Sequence, residues 1–209
     1  MTATSTSEAH SVPARRADAA RNRATLLDVA RTVFASRGLD VPVEEIARAA
    51  GLGVGTVYRN FPTKEALVAA VIERAFDELT AASVAAMRGA DPGQSFFQLL
   101  HDSAVVMARD IVMVRVARLG NGPGRPEPDY VRRLLDASGA VLARAVEAGA
   151  VASGLTAEDI SALLIGIGEA ANHRGDPTEH VERYVAILIE GLRSTNEPLL
   201  TRDHRGGVG

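Results

Sequence analysis

Five polar side chains between positions 56 and 64 form a set that suits contact with a polyanion. Two hydroxyl groups, a guanidinium, a carboxamide and an ammonium are carried by Thr56, Tyr58, Arg59, Asn60 and Lys64. Groups of these kinds contact phosphate oxygens and the edges of nucleic-acid bases. Lys64 is also the single lysine of a chain that contains 22 arginines. The set therefore predicts a surface that contacts DNA.

Two short helices joined by a glycine turn are predicted to position these side chains. The first is Val43–Ala50, whose apolar residues recur at the spacing of one helical face. Gly51 then supplies the positive φ that ends a helix. The second is Val54–Asn60, which directs Val57 inward and the polar set outward. Because so short a helix has little stability of its own in water, packing must hold it, and its polar face is left for a partner.

The segment 43–67 resembles the helix-turn-helix of TetR-family transcriptional repressors. The residues that match the family pattern in register are Ile46-Ala47, Ala50-Gly51-Leu52, Gly55-Thr56-Val57-Tyr58, Phe61, Lys64 and Leu67. Two positions depart from the pattern, since the family's serine before the second helix is Gly53 here and its usual histidine is Asn60. Glycine is a slightly weaker N-cap than serine, and asparagine carries no charge. More of the binding is therefore expected from Arg59 and Lys64.

The resemblance implies a division of roles along the second helix. Thr56, Tyr58 and Lys64 are expected to hold phosphates, which sets the register on DNA without reading sequence. Arg59 is expected to bind guanine through two hydrogen bonds, and Val54 to contact a thymine methyl group. The complete predicted DNA-binding set is Val54, Gly55, Thr56, Tyr58, Arg59, Asn60 and Lys64.

Composition favours a helical protein. Hydrophobic residues make up 46% of the 209 positions and aromatic residues only 4%, which suits closely packed helices better than a β-sandwich. The predicted fold class is all-α, with about nine helices once the resemblance is included. No cysteine is present, which excludes disulfides and thiolate chemistry. Because no apolar run approaches the ~20 residues of a membrane span and the amino terminus lacks a signal-peptide pattern, we expect a cytoplasmic protein.

Charge is divided unevenly along the chain. Residues 1–64 contain nine basic and six acidic residues, a net charge of +3, whereas the whole chain carries −3, so the remainder carries −6. A basic amino-terminal module is what one phosphate-binding domain would produce. A difference this small also arises by chance.

Helical periodicity and breaks in it predict the domain boundaries, and the resemblance to the TetR family implies what each domain does. Residues 1–17 lack a pattern and are predicted to be a disordered tail, and 18–64 to form the DNA-binding domain. The last helix of that domain is expected to continue to about residue 87 as a bridge. Residues 90–195 are predicted to sense a ligand and to dimerise, and 196–209 to be a frayed terminus.

Four side chains of the second domain are candidates for a ligand pocket: Phe97, His101, Met107 and Met113. His101 lies in an otherwise apolar helix, where a single polar group can orient a ligand. Phenylalanine and methionine side chains are adaptable apolar liners. The simpler alternative is a surface or core histidine beside three ordinary core residues.

A dimer interface is implied mainly by the resemblance. Glycines 166, 168 and 191 each cost a helix about 1 kcal/mol relative to alanine, which close approach of another helix would offset. In the resembled family the last two long helices pair with their copies as a four-helix bundle. The candidates are Ile165, Gly168, Tyr184, Ile187, Leu188 and Gly191. Packing within one chain is the alternative.

Enzyme chemistry finds little support in the sequence. The five histidines are scattered without a metal-ligand spacing, and no serine lies in a nucleophile elbow. Glycines 51, 53 and 55 mimic part of a dinucleotide-binding loop, but they follow a helix and no βαβ unit surrounds them. We therefore predict no catalytic residue, no metal and no cofactor.

Together these features predict a ligand-responsive transcriptional repressor. It would bind a palindromic double-stranded operator as a homodimer, and an unknown small-molecule effector would release it. One alternative is a helical carrier of small molecules or lipids whose helix-turn-helix is vestigial. Another is a co-regulator that binds a partner protein. The sequence does not distinguish a repressor from an activator.

Overall fold

A computed structural model describes residues 11–109, 128–172 and 177–193 of the chain. Eight α-helices lie in these ranges: α1 Ser11–Arg37, α2 Val43–Ala49, α3 Val54–Asn60, α4 Lys64–Ala86, α5 Pro92–Arg109, α6 Asp129–Glu147, α7 Ala157–Asn172 and α8 Pro177–Leu192. The described ranges contain no β-strand, only an isolated antiparallel bridge between Val151 and Arg193. The predicted all-α class is confirmed.

The starts of two helices add detail to the predicted domain boundaries. Helix α1 starts at Ser11, inside the segment 1–17 that the sequence analysis assigned to a tail. Alanine and arginine are good helix formers, and a proline is tolerated in a first turn. Helix α5 starts at Pro92, close to residue 90, where the second domain was predicted to begin. There Asp91 caps the helix, because its Oδ1 accepts a hydrogen bond from the Gln94 N–H at 2.9 Å. Residues 1–10 and 196–209 lie outside the described ranges.

The chain divides into two compact units, Met1–Ile72 and Glu73–Gly209. In the first unit, α2 packs against both α1 and α3. The side chains that anchor the three helices are fully or almost fully buried: Leu26, Ala30, Phe34, Ile46, Val57 and Phe61. Tyr58 lies outside this core and is 42% exposed.

The turn between α2 and α3 is a Schellman motif. The Leu52 N–H donates to the Ala47 carbonyl at 2.9 Å, and the Gly51 N–H donates to the Arg48 carbonyl at 3.1 Å. Gly51 has φ +67°, the left-handed conformation that such a turn requires. The local geometry that brings α3 back across α2 is therefore encoded in a few adjacent residues.

In the second unit, α5 is the central helix and packs against α6, α7 and α8. Its core contains Phe96, Leu100, Ala104, Val141, Leu142, Ile160, Leu164, Val181 and Val185. The Asn172 side chain ties α7 to α5, because its Nδ2 donates to the carbonyl of Ala108 at 3.0 Å and to that of Gly168 at 2.8 Å. No helix among the described residues is long and apolar enough to cross a membrane.

Candidate nucleic-acid interface and ligand cavity

Helix α3 presents a polar face because a single buried side chain anchors it. Val57 is fully buried, and the Phe61 N–H ends the helix by donating to the Val57 carbonyl at 2.8 Å. Around this anchor, Gly55, Tyr58 and Arg59 are exposed, while Val54, Thr56 and Asn60 are half-buried. Gly53 precedes the helix in an extended conformation and provides no side-chain cap. The predicted DNA-binding residues of α3 therefore lie on or beside one accessible face.

Two of these side chains fold back onto their own helix. Arg59 donates from Nε to the Gly55 carbonyl at 3.1 Å, and Asn60 donates from Nδ2 to the Thr56 carbonyl at 2.8 Å. Arginine has five N–H donors, so the Arg59 contact leaves its two terminal nitrogens for another partner. Asn60 is half-buried and has committed a donor, which makes it the weaker of the two candidates.

The start of α4 adds a second anion-binding element beside α3. Thr63 caps the helix, because its Oγ1 accepts a hydrogen bond from the Ala66 N–H at 3.1 Å. Lys64 is half-buried in the first turn, where the helix dipole already favours an anion. A backbone hydrogen bond, and next the Thr63 hydroxyl, lower the pKa of Glu65.

Arg23 is a further cation at this junction that the sequence placed only on a polar face of α1. Its guanidinium lies 4.8 Å from the centre of the Phe61 ring, the residue that joins α3 to α4. A cation over an aromatic face is attracted by the ring quadrupole. Only the tertiary arrangement reveals this pair, because nothing in the local sequence connects residues 23 and 61.

The second unit contains an apolar cavity of about 70 Å³. Side chains from α4, α5, α6 and α7 line it, among them Leu79, Phe96, Leu100, Met107, Leu142 and Leu164. Four serines interrupt the apolar lining, one from each of these helices: Ser83, Ser103, Ser138 and Ser161. The described lining residues include no ionisable side chain.

A different surface of α5 borders an open, polar groove. Phe97 and His101 lie there with Arg193, whose guanidinium is 4.9 Å from the Phe97 ring centre. His101 approaches Glu182 of α8 through Nε2 at 2.9 Å and Asp102 through Nδ1 at 3.1 Å. The hydrogen bond to Glu182, followed by that to Asp102, raises the pKa of His101. This histidine therefore pairs with carboxylates.

Known proteins match both units of the chain. Residues 26–71 match the family model of bacterial regulatory proteins of the tetR family, and residues 91–194 match the C-terminal domain of SbtR-like transcriptional regulators. A solved TetR transcription regulatory protein from Mycobacterium vanbaalenii is 37% identical, with a TM-score of 0.64, over 85% of this chain and 98% of that chain. The chain belongs to the TetR family. It is a DNA-binding transcriptional regulator with a helix-turn-helix.

Two further relatives agree with this assignment. The TetR transcriptional regulator SCO0520 from Streptomyces coelicolor is 30% identical, with a TM-score of 0.66, over 83% of this chain and 99% of that chain. The HTH-type transcriptional repressor KstR2 from Rhodococcus jostii is 43% identical over 58 residues, which are 27% of this chain and 28% of that protein. The KstR2 match therefore covers less than a third of the length of either protein.

The ligand-pocket candidates of this TetR-family chain divide between two places. Met107 lines the cavity, whereas Phe97 and His101 border the open groove, so the structure does not bring the predicted set together. Met113 lies outside the described residues. Phe96, Leu100, Ser103 and Met107 follow one helical face at spacings of four, three and four. Residues 97 and 101 are each one position later than 96 and 100, on a different face.

The residues predicted to form the dimer interface differ in how far they are buried. Ile187 is 63% exposed and Gly191 is exposed, whereas Tyr184 and Leu188 are half-buried. Ile165 and Gly168 are buried within the chain itself, so they offer little surface to a second copy. The exposed face of α7 instead carries Leu163, which is 43% exposed, and Gly166, where a Cβ would meet nothing within 4 Å. Neither was among the predicted residues.

No group of three or more His, Cys, Asp or Glu side chains that could hold a metal ion occurs in the described part of the chain.

Proposed function

We propose that this chain represses transcription as a homodimer on a palindromic operator and that a small effector weakens its hold on DNA. The observation that carries the proposal is the accessible polar face of α3 beside Lys64, held in place by the buried Val57. A face of this kind suits insertion into a major groove. KstR2, which is 43% identical to this chain over 58 residues, is named a repressor, which supports repression rather than activation.

On the DNA, these side chains take two roles. Arg59 pairs with a guanine through its two terminal nitrogens, and Val54 contacts a thymine methyl group. Thr56, Tyr58 and Lys64 bind phosphates of the same groove and set the register. The exposure of Arg59 and Tyr58 supports these roles, since both side chains reach solvent from α3.

The proposed dimer interface is the apolar face shared by α7 and α8. These helices pack against one another, and both leave apolar or small residues exposed: Ala162, Leu163, Gly166, Ala170, Ala186, Ile187 and Gly191. An exposed isoleucine beside open glycines suits close packing against the same helices of a second copy. Two copies related by a two-fold axis would place their recognition helices in successive major grooves, about 34–36 Å apart.

The cavity of the second unit is the proposed effector site. A ligand there would favour an arrangement of the dimer that no longer matches the operator spacing. The usual coupling between two such sites is about 1–3 kcal/mol, or roughly 5- to 150-fold in affinity.

The proposal is tested with the DNA upstream of the gene for this chain. A protected palindrome is expected in a footprint, with affinity that falls steeply with salt; six to ten phosphate contacts lose about 10³–10⁵ in affinity between 50 and 200 mM salt. Random DNA of equal length is the control, and it should bind more weakly. A carrier with a vestigial helix-turn-helix, or a co-regulator that binds only protein, would show neither protection nor a steep salt dependence.

A further inference from the structure

We infer that the effector is a small, uncharged molecule with an apolar body and one hydrogen-bonding group, such as a short-chain alcohol or a molecule that presents the same chemistry. This inference rests on the proposed function, because it takes the cavity of the second unit as the effector site. It concerns the charge, polarity and size of the ligand, which the family assignment leaves open.

The described part of the cavity wall disfavours a charged ligand. Its described lining consists of leucine, isoleucine, phenylalanine, methionine, alanine and serine. An ionised carboxylate or ammonium that leaves water needs a partner of opposite charge, and without one its burial is strongly unfavourable. The sequence predicted that His101 would orient the ligand. In the structure His101 pairs with Glu182 and Asp102 and borders the open groove. A neutral ligand is therefore favoured.

A polar group on the ligand is indicated by the serines. Ser83 donates to the Leu79 carbonyl at 2.9 Å and Ser138 to the Leu135 carbonyl at 3.3 Å, so both hydroxyls serve their own helices. Ser103 on α5 and Ser161 on α7 line the same cavity, and within the described part of the chain neither forms such a bond. These two hydroxyls can donate to a ligand carbonyl or hydroxyl, and they can accept from a ligand hydroxyl.

Size follows from the volume. A bound water needs about 10–15 Å³ of such volume, and the cavity provides about 70 Å³. It therefore holds about five non-hydrogen atoms in its present form. Met107 is the adaptable part of the wall, because an unbranched thioether side chain repacks easily around a slightly larger guest.

The probes for the test are 1-butanol, butyrate and butylammonium, which have similar apolar bodies and differ in charge. Thermal unfolding of the full-length protein is measured with each probe, in the wild type and in Ser103→Leu, whose larger side chain fills the cavity. Non-specific effects of alcohol act on both proteins equally. We expect 1-butanol to raise the melting temperature of the wild type relative to Ser103→Leu, and the two ions to have no such effect.

Two further variants keep the test decisive if Ser103→Leu does not fold. Ser161→Leu fills the cavity from the opposite helix and should also abolish the response, with helical content checked by circular dichroism. Ser103→Ala keeps the space and removes one hydroxyl, so 1-butanol should bind about three- to tenfold more weakly. The inference is overturned if butyrate acts as strongly as 1-butanol, or if 1-butanol acts equally on the wild type and both leucine variants.

Measuring operator affinity in the presence of 1-butanol separates this inference from the proposed function. If 1-butanol binds in the cavity yet leaves operator affinity unchanged, the ligand chemistry stands and effector release is wrong. If the protein binds a palindrome with steep salt dependence while no cavity-specific binding of 1-butanol is measured, the repressor proposal stands and the ligand class is wrong.

Discussion

In the proposed complex, Arg59 and Lys64 would hold DNA in two different ways. Arg59 is exposed on α3, and its Nε contact with Gly55 orients the guanidinium while leaving both terminal nitrogens for a base edge. Lys64 lies in the first turn of α4, where an ammonium beside backbone N–H groups suits a phosphate. One contact depends on sequence and the other does not.

The Arg59→Ala and Lys64→Ala variants should therefore lose affinity for DNA in different ways. Loss of Arg59 should remove about 1–3 kcal/mol of discrimination at one base pair, so the operator weakens while random DNA changes little. Loss of Lys64 should weaken both DNAs equally and reduce the salt slope by about one. Titration of both DNAs at several salt concentrations measures this. Equal losses on the two DNAs for Arg59→Ala would remove the base-reading role.

His101 gives the second unit a pH-dependent contact between α5 and α8. Its raised pKa, caused first by Glu182 and then by Asp102, means that the folded chain favours the protonated ring. The contribution is full below the unfolded pKa of about 6.5 and is lost as pH rises through the higher folded value. Because the pair is partly solvated, its magnitude should be that of an exposed ion pair, about 0.2–1 kcal/mol.

Glu182→Gln should accordingly lower the melting temperature near pH 5.5, which is below the unfolded histidine pKa of about 6.5. Near pH 9, well above that value, the substitution should have almost no effect. Glu190→Gln on the same helix is the matched control. Its partner is Arg193, at 3.1 Å, and a guanidinium does not titrate in this range. A pH-independent effect of Glu182→Gln would show that the His101 contact does not depend on protonation of the ring.

At the scale of elements, the connection between α2 and α3 depends on one backbone conformation. Gly51 has φ +67° and Gly55 lies inside α3, and at both positions a Cβ would meet nothing within 4 Å. Alanine at position 51 must adopt the left-handed region, which costs about 1–2 kcal/mol. Alanine at position 55 restricts only the unfolded chain and should stabilise the helix by about 0.5–1 kcal/mol.

Urea unfolding of Gly51→Ala and Gly55→Ala, followed by far-ultraviolet circular dichroism, should thus move the midpoint in opposite directions. Since steric contact is absent at both sites, the comparison isolates backbone conformation. If Gly51→Ala does not destabilise, the turn lacks the left-handed conformation, and if Gly55→Ala destabilises, position 55 is not an open helical site.

Local signals explain which elements the sequence could predict. The glycine turn, the apolar anchor Val57 and the Thr63 cap are properties of neighbouring residues, and the structure has each of them. The early start of α1 was missed because polar residues without an apolar stripe can still form a helix. Its alanines and arginines provided a propensity signal that the periodicity pattern did not use.

The sequence could not predict which face of each helix is buried, because that depends on how the helices pack in the tertiary structure. Phe96 and Phe97 are equally apolar in sequence, yet only Phe96 lines the cavity, because the arrangement of α4, α6 and α7 decides which face of α5 is enclosed. Tyr58 was predicted to lie on the DNA-binding face, and its 42% exposure agrees with that prediction. Likewise, only the tertiary arrangement decides that Ile165 of α7 is buried while Leu163 is 43% exposed.

For the molecule as a whole, two copies would provide what one recognition helix cannot. A helix of seven residues offers few base contacts. Two helices on one dimer bind two half-sites together, so that the second contact forms at a high effective concentration. Dimerisation is thus expected to determine operator affinity even though the proposed interface lies in the other unit.

Ile187→Glu tests this dependence directly. Ile187 is 63% exposed on α8, so a carboxylate there costs the single chain little, but it would be buried without a partner in the proposed dimer. We expect a monomer in analytical ultracentrifugation and an affinity for the full palindrome that falls to that for one half-site. Val84→Glu is the matched control, because Val84 is 49% exposed on α4 and outside the proposed interface. If Ile187→Glu remains a dimer with unchanged operator affinity, this face is not the interface. If the Ile187→Glu and Val84→Glu dimers dissociate equally, the cause is a general effect of the added charge.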